Sequence, residues 1–454
     1  MPPSDLQVPA SNEKPRGDLI LLGVMAPLAG LGAGVIGSSF RLVLAQANQF
    51  REALTAWLAI WGIGGFALFV AVAAAAAAVA AWLVRRVAPS AAGSGIPLVV
   101  AVLNGELPPA PSRVVPVKFL AGTLAIGSGL ALGREGPTVQ MGASFAYQTG
   151  KLFRRSWTDC RALLAAGAGA GFAVAFDAPI AGALFVLEGL IKRFEARIAS
   201  AALAACAAAT WVARAISGDA AEFSVGPLTA PGLLELPLFV LLGIAAGLAG
   251  MLYNRTLLAT LRTADRLSGL PVELRAGAVG AAVGAIAWFA PSLVGGGDGL
   301  AQQALSGVGT LAVLPVLFLL RLGLIACSVA SGTPGGLLVP FLALGAELGL
   351  WFGLLCALAL PGMALEPRGF AVVGMAALFT AIVRTPLTAI VLVTEMTAHL
   401  TMLQPMIVTC FGAMLVPTLF GDTSILDSLG ELLVARSHGT ARKVDQHAAR
   451  TNMP

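Results

Sequence analysis

Long runs without Asp, Glu, Lys or Arg dominate the chain: Leu19 to Phe40, Ala53 to Val84, Leu236 to Asn254, Ala276 to Gly297, Gly299 to Leu320, Leu322 to Ala346 and Met396 to Gly421. Each approaches or exceeds the ~20 residues a helix needs to cross the hydrocarbon core of a bilayer. Apolar and polar positions nowhere alternate with the two-residue period of a strand. Ala, Leu and Gly fill the runs, which favours a helical bundle over a closed barrel as the way to satisfy the backbone in lipid. The predicted fold class is therefore an all-α integral membrane protein. Four shorter apolar pieces, Gly136 to Gly150, Ala162 to Phe176, Ala178 to Leu187 and Thr385 to Thr394, are bounded by charges and read as half-helices or re-entrant segments.

The pattern also repeats. Gly167, Pro179 and Glu188 are separated by twelve and nine positions, and Gly374, Pro386 and Glu395 keep the same intervals. Local sequence agrees, Ala178-Pro179-Ile180-Ala181-Gly182-Ala183-Leu184-Phe185-Val186-Leu187-Glu188 against Thr385-Pro386-Leu387-Thr388-Ala389-Ile390-Val391-Leu392-Val393-Thr394-Glu395. Duplication predicts a first repeat at 18–216 and a second at 232–428, joined by a linker at 217–231. Tails at 1–17 and 429–454 are expected on the cytoplasmic side. Duplicated halves with interrupted helices and a site between them are the architecture of transport proteins.

Composition narrows the function. Of 454 residues, 57% are hydrophobic and 11% charged, which excludes a water-soluble enzyme as the first reading. The 54 glycines point to helices packed backbone to backbone. A net charge of +5 gathers at Lys151–Arg161, Lys192–Arg197 and Arg436–Arg450, the juxtamembrane bias of a multi-pass inner-membrane protein rather than a nucleic-acid surface. Five cysteines fall singly in or beside apolar stretches, without the spacing of a metal site, and read as packing. No cofactor or metal is expected. The N-terminal residues lack the apolar core of a cleavable signal, so the first span itself is expected to target the chain. Histidines are confined to His399, His438 and His447, too few near the spans for a proton relay.

Three segments share the form Gly-x-x-x-Pro at the mouth of a short apolar stretch: Gly93-Ser94-Gly95-Ile96-Pro97, Gly133-Arg134-Glu135-Gly136-Pro137 and Gly336-Leu337-Leu338-Val339-Pro340. Glycine permits a tight turn, and proline suits the first turn of a helix, so each reads as a helix start with exposed N–H groups. Several such ends aimed at one point make an anion site. Glu135 is itself an anion placed among them. The bare form also occurs at Gly23 to Pro27 and Gly105 to Pro109, where context gives it no role.

In this order the three segments resemble the signature motifs of the CLC chloride channel and transporter family. Lys118 within Pro-Val-Lys-Phe-Leu and the stretch Ala175 to Gly182 are similar as well, and the resemblance covers about residues 20 to 430. It implies two inverted repeats of tilted, broken helices and a homodimer with one pore per subunit. The substrates it implies are chloride and similar anions, together with protons. Chloride ions would be the only bound species. The anion site it implies comprises Ser94, Gly95, Ile96, Arg134, Gly136, Leu337 and Leu338, with Glu135 as gate and proton carrier. Lys118 and Arg134 would neutralise the protein's own carboxylates and draw anions inward.

Two departures bear on coupling. Gly189 follows Glu188 where exchangers of the family carry a second, inner glutamate, and Leu426 stands where an inner tyrosine is usual. Glu188 could carry protons instead, although its repeat mate Glu395 favours a structural role, and Thr423, Ser424 or Ser428 could supply the lost hydroxyl. The expectation is thus a passive or weakly proton-coupled chloride conductance, with a stoichiometric chloride/proton antiporter as the alternative. A fluoride exporter is disfavoured because Ser94 and Pro137 are intact. An intramembrane aspartyl protease, raised by Gly295-Gly296-Gly297-Asp298, lacks its partner aspartate after a tyrosine and is disfavoured too.

Overall fold

A computed structural model describes residues 16–437 except Ala220 and Ser268, with the backbone alone for residues 16–20. The expected tails lie outside the described residues except at 16–17 and 429–437, and so do His438, His447 and most of the last basic cluster. The first run of helices is α1 Arg16–Ala59, α2 Gly62–Val87, α3 Ile96–Leu103, α4 Val114–Gly127, α5 Glu135–Leu152, α6 Trp157–Phe176, α7 Pro179–Phe185 and α8 Ala196–Ser217. The second is α9 Leu236–Arg266, α10 Val272–Phe289, α11 Asp298–Leu305, α12 Val313–Ala330, α13 Leu338–Ala359, α14 Pro367–Val383, α15 Pro386–Thr397 and α16 Leu403–Leu419. Residues 425–437 are also helical, so a helix runs through the boundary expected at 428. Nine of the described helices are long and apolar enough to cross a bilayer.

Charge-free runs and helices do not coincide one to one. The run Ala53 to Val84 is cut by a turn at residues 60–61, just before Gly62 with its φ of 57°, and Gly299 to Leu320 holds all of α11 but its first residue and the first part of α12. Two pieces expected as half-helices are longer than expected: α6 has 20 residues and is among the candidate spans, and α5 has 18 and is not. The reason is that their bounding charges are absorbed into the helices. Ser156 accepts the Asp159 N–H at 3.3 Å and caps α6 upstream of its charges, while Asp159 is neutralised by Arg155 and Arg197.

The two runs match in backbone detail. α6 ends at Asp177 (φ 52°) and α14 at Arg384 (φ 68°); Ala178 and Thr385 follow at φ −129° and −127°, each before a proline. A proline ring pushes the preceding residue out of the helical region, so the same break arises twice. α7 and α15 then begin, and their first amides face glutamates from across the repeat. Glu395 accepts from Ile180 N (3.1 Å) and Ala181 N (2.8 Å); Glu188 accepts from Leu387 N (3.1 Å), Thr388 N (2.7 Å) and Thr388 Oγ1 (2.7 Å). Each carboxylate caps the helix of the other half. Packing repeats as well: a Cβ on Gly142 would lie 2.4 Å from the Gly167 carbonyl oxygen, and one on Gly345 would lie 2.6 Å from that of Gly374. Glycine at these crossings lets α5 meet α6, and α13 meet α14, at backbone contact.

Candidate anion and gating site

The three Gly-x-x-x-Pro segments meet at one place. Gly133 and Gly336 exchange backbone hydrogen bonds, Gly133 N to Gly336 O at 2.9 Å and Gly336 N to Gly133 O at 2.7 Å, setting the starts of α5 and α13 side by side. Gly335 N donates to Gly93 O at 3.2 Å and brings in the loop before α3. That loop is clamped from behind by Lys118, which is fully buried and donates to Ala91 O (3.0 Å) and Gly93 O (2.7 Å). Among the described residues no carboxylate lies within ion-pair distance of Lys118, so the expectation that it neutralises one is corrected. Its charge is spent on carbonyl oxygens that fix the turn carrying Ser94.

Glu135 is the first residue of α5 and has no exposed surface. Its Oε1 accepts the Leu338 N–H at 2.5 Å, a further charge-assisted link between the two halves beside those of Glu188 and Glu395, while Oε2 has no hydrogen-bond partner. The Ser94 hydroxyl is likewise buried and unpartnered. These groups are close: a Cβ on Gly136 would fall 2.5 Å from Ser94 Oγ and 3.0 Å from Gly336 Cα, and one on Gly336 would fall 2.1 Å from Glu135 Oε1. Chemically, a carboxylate lodged at the positive end of α13 occupies the place an anion would take. Removing it would free the Leu338 amide, beside the unpartnered Ser94 hydroxyl, for a halide held by dipoles rather than by a full charge that would trap it. Leu337, Leu338, Gly95 and Ile96 line the same loops, and Ile96, Leu337 and Leu338 are buried.

A vestibule of about 1390 Å³, open mouth included, has Ser94, Gly95 and Leu337 at its inner end and Arg275, Asp265 and Arg436 at its rim. Arg134 turns elsewhere. Its Nε donates to Ala175 O at 3.1 Å and its Nη2 to Glu222, whose second oxygen meets Arg41 at 2.7 Å. Burial alone would raise the Glu222 carboxyl, but Arg134 and Arg41 outweigh it and hold the group below its ordinary 4.5. Glu222, from the linker after α8, carries no sequence signal; its role as the Arg134 anchor is visible only in three dimensions.

The sequence model for the voltage gated chloride channel family matches residues 76–418. The chain belongs to the CLC family. Among relatives of this CLC protein, the H(+)/Cl(-) exchange transporter ClcA of Cronobacter sakazakii is 38% identical over 418 residues, covering 89% of this chain and 88% of that one. The ClcA of Vibrio parahaemolyticus is 37% identical over 424 residues, covering 89% and 88%. A crystal structure of a slow cyanobacterial Cl-/H+ antiporter superposes with a TM-score of 0.88 at 33% identity, covering 94% of this chain and all of that one. A CLC-type fluoride/proton antiporter shares the fold, with a TM-score of 0.77 at 23% identity, covering 89% and 97%. The all-α, multi-pass fold predicted from the pattern, with the CLC architecture implied by the resemblance of the three motifs, is thereby established.

Both departures from the CLC pattern have a local setting. Gly189 lies in a π-helical turn, Val186–Leu190, where a Cβ would fall 2.9 Å from the Phe185 ring; Phe185 fills the space of the absent side chain. Leu426 is buried, and its N–H donates to Ser424 Oγ at 3.2 Å. The three hydroxyls considered as substitutes are engaged: Ser424 donates to Val383 O at 3.0 Å, and Thr423 and Ser428 bond each other at 2.8 Å. A hydroxyl that sequence reasoning passed over is Tyr253 of α9. It is 1% exposed, its ring stands edge-on to Phe341 (5.9 Å between centroids), and its oxygen has no partner. The only signal for it was the rarity of tyrosine in this chain. The Gly295–Asp298 segment is the loop opening α11, and Arg321 donates to Leu293 O, Gly295 O and Gly296 O at 2.9 Å each.

Proposed function

We propose that this CLC protein exchanges chloride for protons across the inner membrane as a homodimer, with Glu135 as both the gate and the proton carrier. This replaces the passive or weakly coupled conductance expected from Gly189 and Leu426, because the relatives matched along nearly the whole chain are named exchange transporters. One observation carries the reading: the Glu135 carboxylate sits on the Leu338 amide, in the position a chloride ion would need. Anion and ionised side chain compete for one site, and protonation removes the side chain's claim to it, so the two fluxes are linked by occupancy. The anion approaches through the vestibule that ends at Ser94. Arg134, held by Glu222, and Lys118, held by carbonyls, keep the loops in register.

Glu188 and Glu395 serve as reciprocal helix caps in this reading, which leaves the proton's route on the far side of Glu135 to other groups. Purified protein in vesicles with a pH gradient and equal chloride on both sides tests it. Uphill chloride movement is expected; chloride movement only down its own gradient would overturn exchange in favour of a channel.

A further inference from the structure

Glu347 stands out among the buried acids of this chain. It lies in α13, nine residues past Leu338 and so about 14 Å further along the helix axis. It is 2% exposed, and neither carboxylate oxygen has a hydrogen-bond partner. A buried carboxylate without hydrogen bonds strongly disfavours its ionised form, and an ionisable side chain at membrane depth calls for a role of its own. Its counterpart in the first half, seven residues past Pro137 as Glu347 is seven past Pro340, is Ser144. The repeat therefore does not require an acid there.

Its surroundings are sparse in charge. The elements packed on α13 are α14, α11, α12, α5, α9 and the turn Pro361–Met363. Their charged and titratable groups toward this region are Arg321 of α12, Asp298 of α11, Tyr253 of α9 and Glu135 of α5. α14 carries only Arg368, which binds Glu366, and the turn carries none. Of these, Arg321 acts on Glu347 directly, and its Nε is itself buried and unpartnered. Arg321 also acts on the free Tyr253 hydroxyl, which in turn feels Glu135. The two acids are thus connected by a file of electrostatic neighbours, Glu347, Arg321, Tyr253 and Glu135, with unmet hydrogen-bonding capacity at every member.

We propose that Glu347 is a second proton-binding carboxylate inside the membrane, distinct from Glu135, that gives and takes protons during the exchange cycle. The proton leaves a Glu347 oxygen through water, the Tyr253 hydroxyl passes one proton on and receives another, and Glu135 Oε2 gains it. A carboxylate is left facing the Arg321 guanidinium, and no other bond changes. The inference rests on the exchange reading for its part in transport, but not for the binding of the proton.

Infrared difference spectra of the full-length protein in lipid, recorded across a pH step, test it. Wild type is expected to show two titrating carboxylic-acid bands, of which Glu347→Gln removes one and Glu135→Gln the other. In vesicles, Glu347→Gln should retain chloride flux while taking up fewer protons per chloride. Identical spectra for wild type and Glu347→Gln, or an unchanged proton-to-chloride ratio and pH profile, would overturn the proposal. If Glu347→Gln fails to fold, Glu347→Asp must shift the band without abolishing it, and an unshifted spectrum counts against Glu347. A wild type that moved chloride without protons would overturn the exchange reading, whereas the infrared assignment stands or falls independently.

Discussion

Loops 93–95 and 295–297 share one backbone turn, with φ of 62° and 90° at Gly93 and Gly95 against 75° and 98° at Gly295 and Gly297. Each opens an eight-residue helix, and each is clamped through its carbonyls by a buried cation from the following helix, Lys118 or Arg321. Yet the first loop presents the Ser94 hydroxyl at the site, and the second presents Gly296. The starts of α5 and α13 diverge in the same way: one supplies the Glu135 carboxylate and the other supplies the amide that receives it. A duplicated frame conserves what backbone geometry demands, while competition between a tethered anion and a free one needs unlike partners. Asymmetry between the halves is where the chemistry lies.

The sharpest way to break that comparison is to erase the unlike pair. Glu135→Gln is expected to abolish proton-coupled uptake and leave chloride flux independent of pH, read in vesicles; retained coupling would show that the carboxylate is not the carrier. Gly136→Ala places a methyl 2.5 Å from Ser94 Oγ and should cut chloride flux at least about tenfold, as a misplacement of this order does elsewhere. Next come the two clamps. Lys118→Met and Arg321→Met each strand buried carbonyls and should cost about 3 kcal/mol in unfolding measurements. Only the first should also weaken chloride binding, because only its loop carries Ser94; equal effects on binding would erase the distinction drawn between the loops.

Smaller effects probe where the halves are alike. Glu188→Ala and Glu395→Ala each remove a cap from the opposite half and should each lower stability by about 1 kcal/mol, with the proton-to-chloride ratio unchanged. A fall in that ratio for Glu188→Ala alone would return it to the proton path. The smallest effect concerns Glu222. Its carboxyl is held below 4.5 in the folded protein, so the stability its ion pairs confer is fully present above about that pH and is lost as pH falls through the lower folded value. Glu222→Gln should flatten the acid limb of the stability profile, and an unaltered limb would show that the Arg134 tether contributes nothing.

Much of the site was legible in the chain because its chemistry is local. A Gly-x-x-x-Pro segment contains its own turn, its own helix start and, at Glu135, its own acid, so Ser94, Glu135, Gly136 and Leu338 could be named without knowing what faces them. Groups whose function depends on an unlinked partner were not legible. Lys118 looked like a neutralising charge until its carbonyl acceptors were seen, and Glu222, Tyr253 and Glu347 belong to no contiguous motif that would single them out. Helix limits erred for a related reason: the charges flanking α5 and α6 become helical once Ser156, Arg197 and the α5–α13 pairing satisfy them.

The sequence alone determined the all-α membrane class, the duplication and the family, since these follow from hydropathy, spacing and short contiguous motifs that need no partner. The tertiary structure alone decided that Glu135 occupies the anion's place on Leu338, that Glu188 and Glu395 cap each other's helices, and that Glu347 is left without a hydrogen bond. Those facts arise between residues some two hundred positions apart or from packing on every side. In lipid, where water cannot satisfy a stray polar group, such partners fix what a charged side chain can do.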